Sequence, residues 1–176
     1  MKVAIVPSAP ALLPAYAGLT DPVAPMREAA LAAVAWLDGP VQVIGDALGE
    51  RVGRYLLSVG SRQARPPEEA RPPEGDLLVV ADGSARRGVR APGHLDERAF
   101  AFDAAIDAAL RQGDPGTLAV LDEALGAQLL AAGVPAFRRL GRLVQGRLEQ
   151  GRQVRAEVDY ADDPFGVQYW VVRWEC

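Results

Sequence analysis

The sequence predicts an α/β fold: a mixed, mostly parallel sheet flanked by helices and finished by an antiparallel hairpin. Three observations carry this. Short continuous apolar runs, Val3 to Val6, Val41 to Ile44 and Leu77 to Val80, have the texture of strands covered on both faces. Segments with helical apolar spacing lie between and after them. Near the end the period changes to two, where Val154, Ala156, Val158 and Tyr160 alternate with Gln153, Arg155, Glu157 and Asp159. Alternating strands and helices favour a parallel sheet, to which a closing strand pair adds a hairpin. At 176 residues the chain is one domain's length, read as a single domain over 1–176.

The elements follow in order. Pro7 ends the first strand, and a proline-rich loop runs to Thr20. Asp21-Pro22 is a helix-start signal, a capping carboxylate followed by proline in the first turn. Met26, Ala30, Ala33, Val34 and Leu37 then repeat at helical spacing until Gly39-Pro40 stops them. Gly45-Asp46 turns the end of the second strand, and a second helix spans about 49–59. In residues 61–75 the unit Ala64-Arg65-Pro66-Pro67-Glu68 recurs as Ala70-Arg71-Pro72-Pro73-Glu74. Paired prolines favour extended polyproline geometry, so this reads as an exposed connection.

After the third strand, Asp82-Gly83 opens a long loop to Leu95. Asp96 caps a helix with Phe102, Ile106 and Leu110 on one face. Asp114-Pro115 starts another, whose buried stripe is Leu118, Leu121, Leu125 and Leu129, closed by Gly133 and Pro135. A further helix turns Phe137, Leu140, Val144 and Leu148 inward. Val167 to Trp174 is apolar on nearly both faces, which predicts a more central strand than the alternating one before it. Asp162-Asp163-Pro164-Phe165-Gly166 is the turn between them.

Composition removes several functions. Nineteen basic residues face 23 acidic ones, a net charge of −4, so no global basic excess holds a nucleic-acid backbone. His94 is the only histidine and Cys176 the only cysteine. One chain therefore builds neither a two-histidine iron site, a Cys/His zinc site nor an internal disulfide. A reducing cytoplasm is the expected setting. The longest apolar run, Ala29 to Leu37, is far short of a membrane span. Lys2, an apolar stretch and Ala15-Tyr16-Ala17 have the order of a signal peptide, but Pro7, Pro10 and Pro14 interrupt it; a buried strand and a loop are expected instead.

The most chemical segment is Asp82-Gly83-Ser84-Ala85-Arg86-Arg87, at the carboxyl end of an expected parallel strand, where ligands bind in open α/β sheets. Asp82 offers a carboxylate, Ser84 a hydroxyl, and Arg86 and Arg87 a grip for an anion. The same residues also suit a tight turn with a capping aspartate and solvated arginines. Asp46 follows the second strand and Ser8 the first, so Ser8, Asp46 and Asp82 have the placement to converge, and carboxylates there suit a hard cation such as Mg²⁺. Asp46 equally suits helix capping. His94, with Ser84 before it and Asp96 after it, allows a Ser-His-Asp arrangement, although no Gly-x-Ser-x-Gly elbow is present. Arg138, Arg139, Arg142 and Arg147 on one helix suit a polyanion or simply solvent. Trp170 and Trp174 share one strand face and belong in a core or a subunit interface.

Three stretches together resemble a family. Val6-Pro7-Ser8-Ala9-Pro10-Ala11-Leu12-Leu13-Pro14 resembles the opening of class III extradiol ring-cleavage dioxygenases of the catalytic B-subunit type and their Memo-like relatives. Asp82 to Arg87, then Ala91-Pro92-Gly93-His94-Leu95-Asp96 and Phe102-Asp103, resembles an uncharacterised bacterial branch of that superfamily, as does Asp163-Pro164-Phe165-Gly166-Val167-Gln168-Tyr169. The resemblance implies a mixed sheet flanked by helices. In active members it implies Fe(II) held by two histidines and a glutamate, binding a catechol and O₂ together so that the ring is cut beside its hydroxyls. Here Ser8 stands at the first histidine's position, and the loop that would carry the second is shortened to Asp46-Ala47-Leu48-Gly49.

The expectation is a degenerate, iron-free member with no cofactor, binding a small ligand or partner in a retained cleft. Asp82, Ser84 and His94 are the catalytic candidates; Ser8, Asp46, Arg86 and Arg87 are the ligand-binding ones; no metal ligands are assigned. Two alternatives stand beside it: ring cleavage at a metal site held by carboxylates or completed between subunits, and a structural or regulatory subunit. The partners expected are a small molecule and further copies of the chain, neither nucleic acid nor membrane.

Overall fold

The computed structural model describes residues 1–16, 20–60, 75–148 and 153–176. The proline-rich repeat at 61–74 lies outside the described residues. Among those described, five strands form one sheet: β1 (Lys2–Val6), β2 (Val41–Ile44), β3 (Asp76–Val80), β4 (Arg155–Asp162) and β5 (Tyr169–Glu175), in the order β2-β3-β1-β5-β4. The pairings β1–β3 and β2–β3 are parallel, whereas β5 pairs antiparallel with both β1 and β4. The sheet is thus evenly mixed rather than mostly parallel, because the terminal hairpin joins the β1 edge and makes β1 an inner strand.

Both faces of β1 and β3 are covered, which explains their unbroken apolar runs. Val3, Ile5, Leu77 and Val79 point to one core; Ala4, Val6, Leu78 and Val80 point to the other. The second core is closed by helices α1 (Ala24–Ala35) and α2 (Ala47–Val59) through Met26, Ala30, Val34, Val52 and Leu56. The first is closed by α3 (Arg98–Gln112), α4 (Pro115–Ala119), α5 (Glu123–Gln128) and α6 (Val134–Gln145). Trp170 and Trp174 are buried in that first core. Their indole N–H groups donate to Asp107 Oδ1 at 3.0 Å and to Leu110 O at 2.8 Å. Of the two placements expected for these tryptophans, a core or a subunit interface, they take the core of a single chain.

Local chemistry explains three departures from the expected elements. α1 begins at Ala24, two residues past Pro22, because Asp21 accepts the N–H of Val23 and pairs with Arg27 at 2.6 Å instead of capping the helix directly. The leucine stripe expected on one helix is divided between α4 and α5. Asp122 accepts the N–H of Leu125 and starts a new helix after Val120. Asp96 is not the cap of α3: that position is Glu97, which makes no side-chain cap hydrogen bond, while Asp96 accepts the N–H of Arg98 at 3.1 Å.

The fourth strand holds a further difference. Val158 pairs with Val172, but Tyr160 pairs with Val171, so one residue, Asp159, is extra. This β-bulge interrupts the two-residue period. Ala156 and Val158 pack on the α3 side, while Tyr160 packs on the α1–α2 side. The sequence pattern had placed all three on one face. No helix among the described residues is long and apolar enough to cross a membrane.

Candidate functional site

The parallel strands β1, β2 and β3 end at one edge of the sheet. Ala81 N donates to Val6 O at 3.0 Å, which carries the β1–β3 pairing one step past the strands and sets Asp82 beside Ser8. Ser8 N donates to Asp82 Oδ1 at 2.6 Å. On the other side, Asp46 caps α2 by accepting the N–H of Gly49 at 2.7 Å. Gly45 and Gly49 let the start of α2 lie against the end of β3: a Cβ at either would stand 3.2 Å from Val80 O. Behind Asp82, Gly133 packs on its backbone so closely that a Cβ there would stand 2.5 Å from Asp82 N. Asp82 is therefore held from two sides, by the N–H of Ser8 and by the backbone of Gly133.

Burial of the carboxyl pushes the Asp82 pKa up to about 7. The N–H of Ser8 pulls the other way, and the charge of Asp46 adds to the rise. The Tyr169 hydroxyl is also pushed up, first by burial and then by the charges of Asp82 and Tyr160. Tyr160 reaches this face only because of the bulge at Asp159. Ser8 is 8% exposed and Tyr169 5%. Among the described residues, no hydrogen bond engages the second oxygen of Asp82 or the hydroxyls of Ser8, Tyr160 and Tyr169. None of these atoms is among the buried side-chain atoms without a partner, so they face solvent at this edge.

The other candidates lie elsewhere. Ser84 is fully buried; its hydroxyl donates to Leu129 O at 2.7 Å and accepts the N–H of Arg86 at 3.1 Å. Its own N–H donates to Asp103 Oδ1 at 2.9 Å. This hydroxyl faces the α5 end, not the Asp82 edge. Arg87 pairs with Asp163 at 2.6 Å and Asp103 at 3.3 Å, and its guanidinium lies over the Phe100 ring. The Arg86 stem packs against Gly93. Neither arginine is turned to Asp82 as an anion grip. His94 is exposed, with Nδ1 3.3 Å from Val89 O, and Asp96 is occupied by Arg98 at 2.7 Å. Ser84, His94 and Asp96 do not form a relay.

Arg87 and Asp103 instead line a cavity of about 360 Å³ with Phe100, Asp107, Asp163 and Gln168. Burial, chiefly, raises the Asp103 pKa to about 6; Ser84 N–H and Arg87 oppose it, and Asp163 adds to it. Asp103 anchors the Asp82–Arg87 segment from this opposite core. On α6, Arg138 donates to Leu121 O at 2.7 Å and pairs with Glu123 at 3.0 Å, which ties it to the α4–α5 link.

The donors do not fit the iron site that the resemblance implies. Ser8, Asp46 and Asp82 supply a hydroxyl and two carboxylates where two imidazoles would be required, and His94 is turned to its own loop. Among the described residues, no group of three or more His, Cys, Asp or Glu side chains is placed to hold a metal ion. Sequence reasoning missed Tyr160 and Tyr169 at the site and Asp103 beneath it. Asp103 had a signal, a charged residue flanked by Phe102 and Ile106 on an apolar helix face. No protein-family model matches the chain, and no curated protein matches it.

Proposed function

We propose that this chain is an iron-free relative of the class III extradiol dioxygenases that binds a small molecule at the carboxyl ends of β1–β3, with Asp82 giving or taking a proton. One observation carries the reading: Asp82 is fixed by Ser8 N–H, its second oxygen is unengaged among the described residues, and burial brings its pKa to about 7. A carboxyl poised near neutrality serves as donor or acceptor toward a bound group. Ser8 and Tyr169 supply further hydrogen bonds at the same edge. The loss of imidazole at Ser8 supports the iron-free reading. Purification with Fe(II) under anaerobic conditions, followed by metal analysis and a catechol ring-cleavage assay, tests it. The expected result is iron well below one per chain and no cleavage. One tightly held ferrous ion per chain with ring opening would overturn it.

A further inference from the structure

The cavity of about 360 Å³ between α3, the Arg87 loop and the end of β4 has the size of a small-molecule site. Its charges do not balance. Asp103, Asp107, Asp162 and Asp163 line it, with Arg87 as the lining cation. Arg87 is shared by Asp103 and Asp163, and Arg111 pairs with Asp107, so four carboxylates meet two guanidiniums. Gln168 adds a fixed acceptor. It is only 8% exposed, and its amide nitrogen donates to Asp162 O at 3.3 Å and to Tyr169 O at 3.1 Å. Both N–H groups are thereby spent on backbone, which fixes the direction of Oε1. That oxygen has no hydrogen-bond partner among the described residues and is not sealed within the protein, so it opens on the cavity that Gln168 lines. The second oxygens of Asp162 and Asp163 are likewise unengaged among the described residues. The rest of the wall is apolar and open to water: Ala104 and Ala161 are exposed, and Phe100 is 44% exposed.

We propose that this cavity binds a small organic cation, its ammonium head at the free oxygens of Asp162, Asp163 and Gln168 and its apolar body against Phe100, Ala104 and Ala161. The site is separate from the Asp82 edge and does not rest on it. An anion meets surplus carboxylate, while the Arg87 guanidinium is already held by two of those carboxylates. A bare metal ion needs several oxygens converging on one point, and among the described residues no three acidic side chains are so placed. A neutral ligand leaves the surplus charge unanswered. An ammonium head donates charge-assisted hydrogen bonds to the free oxygens, and its body covers apolar side chains that are still wet.

Amide NMR titration of the full chain at neutral pH with benzylamine, benzyl alcohol and benzoate tests this. Benzylamine is expected to give saturable shifts confined to amides around Phe100 to Asp107 and Ala161 to Gln168, with benzyl alcohol weaker and benzoate without effect. Two substitutions at exposed positions then probe the head and the body. Asp162→Asn removes a charge but keeps the acceptor for the N–H of Asp163, 2.8 Å away. Phe100→Ala removes the open ring. Each is expected to weaken benzylamine about threefold or more, while amides remote from the cavity keep their wild-type positions and so report an intact fold. Benzyl alcohol or benzoate binding as tightly as benzylamine would overturn the charge assignment. Shifts centred elsewhere, an affinity unchanged in either variant, or no saturable shift with benzylamine would overturn the site.

Discussion

Replacing Asp82 by asparagine should stabilise the fold at alkaline pH, although it alters the centre of the proposed site. Asparagine keeps the shape and an oxygen for the N–H of Ser8, now 2.6 Å from Oδ1, and removes the charge. In the folded chain the carboxyl titrates near 7, against about 4 in an unfolded chain. Between those values the folded state holds a proton that the unfolded state has released. The wild-type protein therefore loses stability as pH rises from about 4 to 7, and the loss levels off above 7. From pH 5 upward the difference spans about two pKa units, or at most ~3 kcal/mol at 1.36 kcal/mol per unit. Asp82 is only half-buried, so solvent screening reduces this to roughly 1–2 kcal/mol. Asp103, with a pKa near 6, titrates in the same window but in both proteins, so it cancels in the comparison. Urea unfolding near pH 5 and pH 8.5 measures it. Wild type should lose about 1–2 kcal/mol more than the variant between the two. Equal pH profiles, or a variant less stable than wild type at pH 8.5, would refute the placement of a strained carboxyl at this edge.

Two further substitutions separate scaffold from site. Ser84→Ala removes the buried hydroxyl that donates to Leu129 O, which should cost about 1–3 kcal/mol in urea unfolding while leaving the Asp82 titration in place; a change in that titration without a stability loss would return Ser84 to the site. Gly133→Ala forces a methyl group against the Asp82 backbone, which should destabilise by about 1–3 kcal/mol and weaken any ligand bound at Asp82; an alanine variant as stable as wild type, checked by thermal unfolding, would show that α6 does not brace the loop.

The sequence alone determined what local periodicity and turn chemistry encode. The unbroken runs at Val3 to Val6 and Leu77 to Val80 marked strands covered on both faces, and aspartates and glycines marked most element ends. The placement of Ser8, Asp46 and Asp82 at one edge was also legible, since parallel strands present their following loops on the same side. Hydrogen-bond direction within those loops was not. Ser84 lies two residues from Asp82 and by a strand's two-residue period would share its face, yet it serves the opposite core, because the chain leaves β3 before Asp82 and Asp103 and Leu129 bind Ser84 on the other side. Arg87 resembled a ligand grip until Asp103 and Asp163, distant in sequence, were brought beside it. Tyr160 depended on the single extra residue at Asp159: without that bulge the two-residue period places it with Val158 against α3, and with it the phenol crosses to the side of Tyr169 and Asp82. A bulge arises from the pairing of two strands, which neither strand's own sequence states, so only the tertiary structure could decide which face the tyrosine joined.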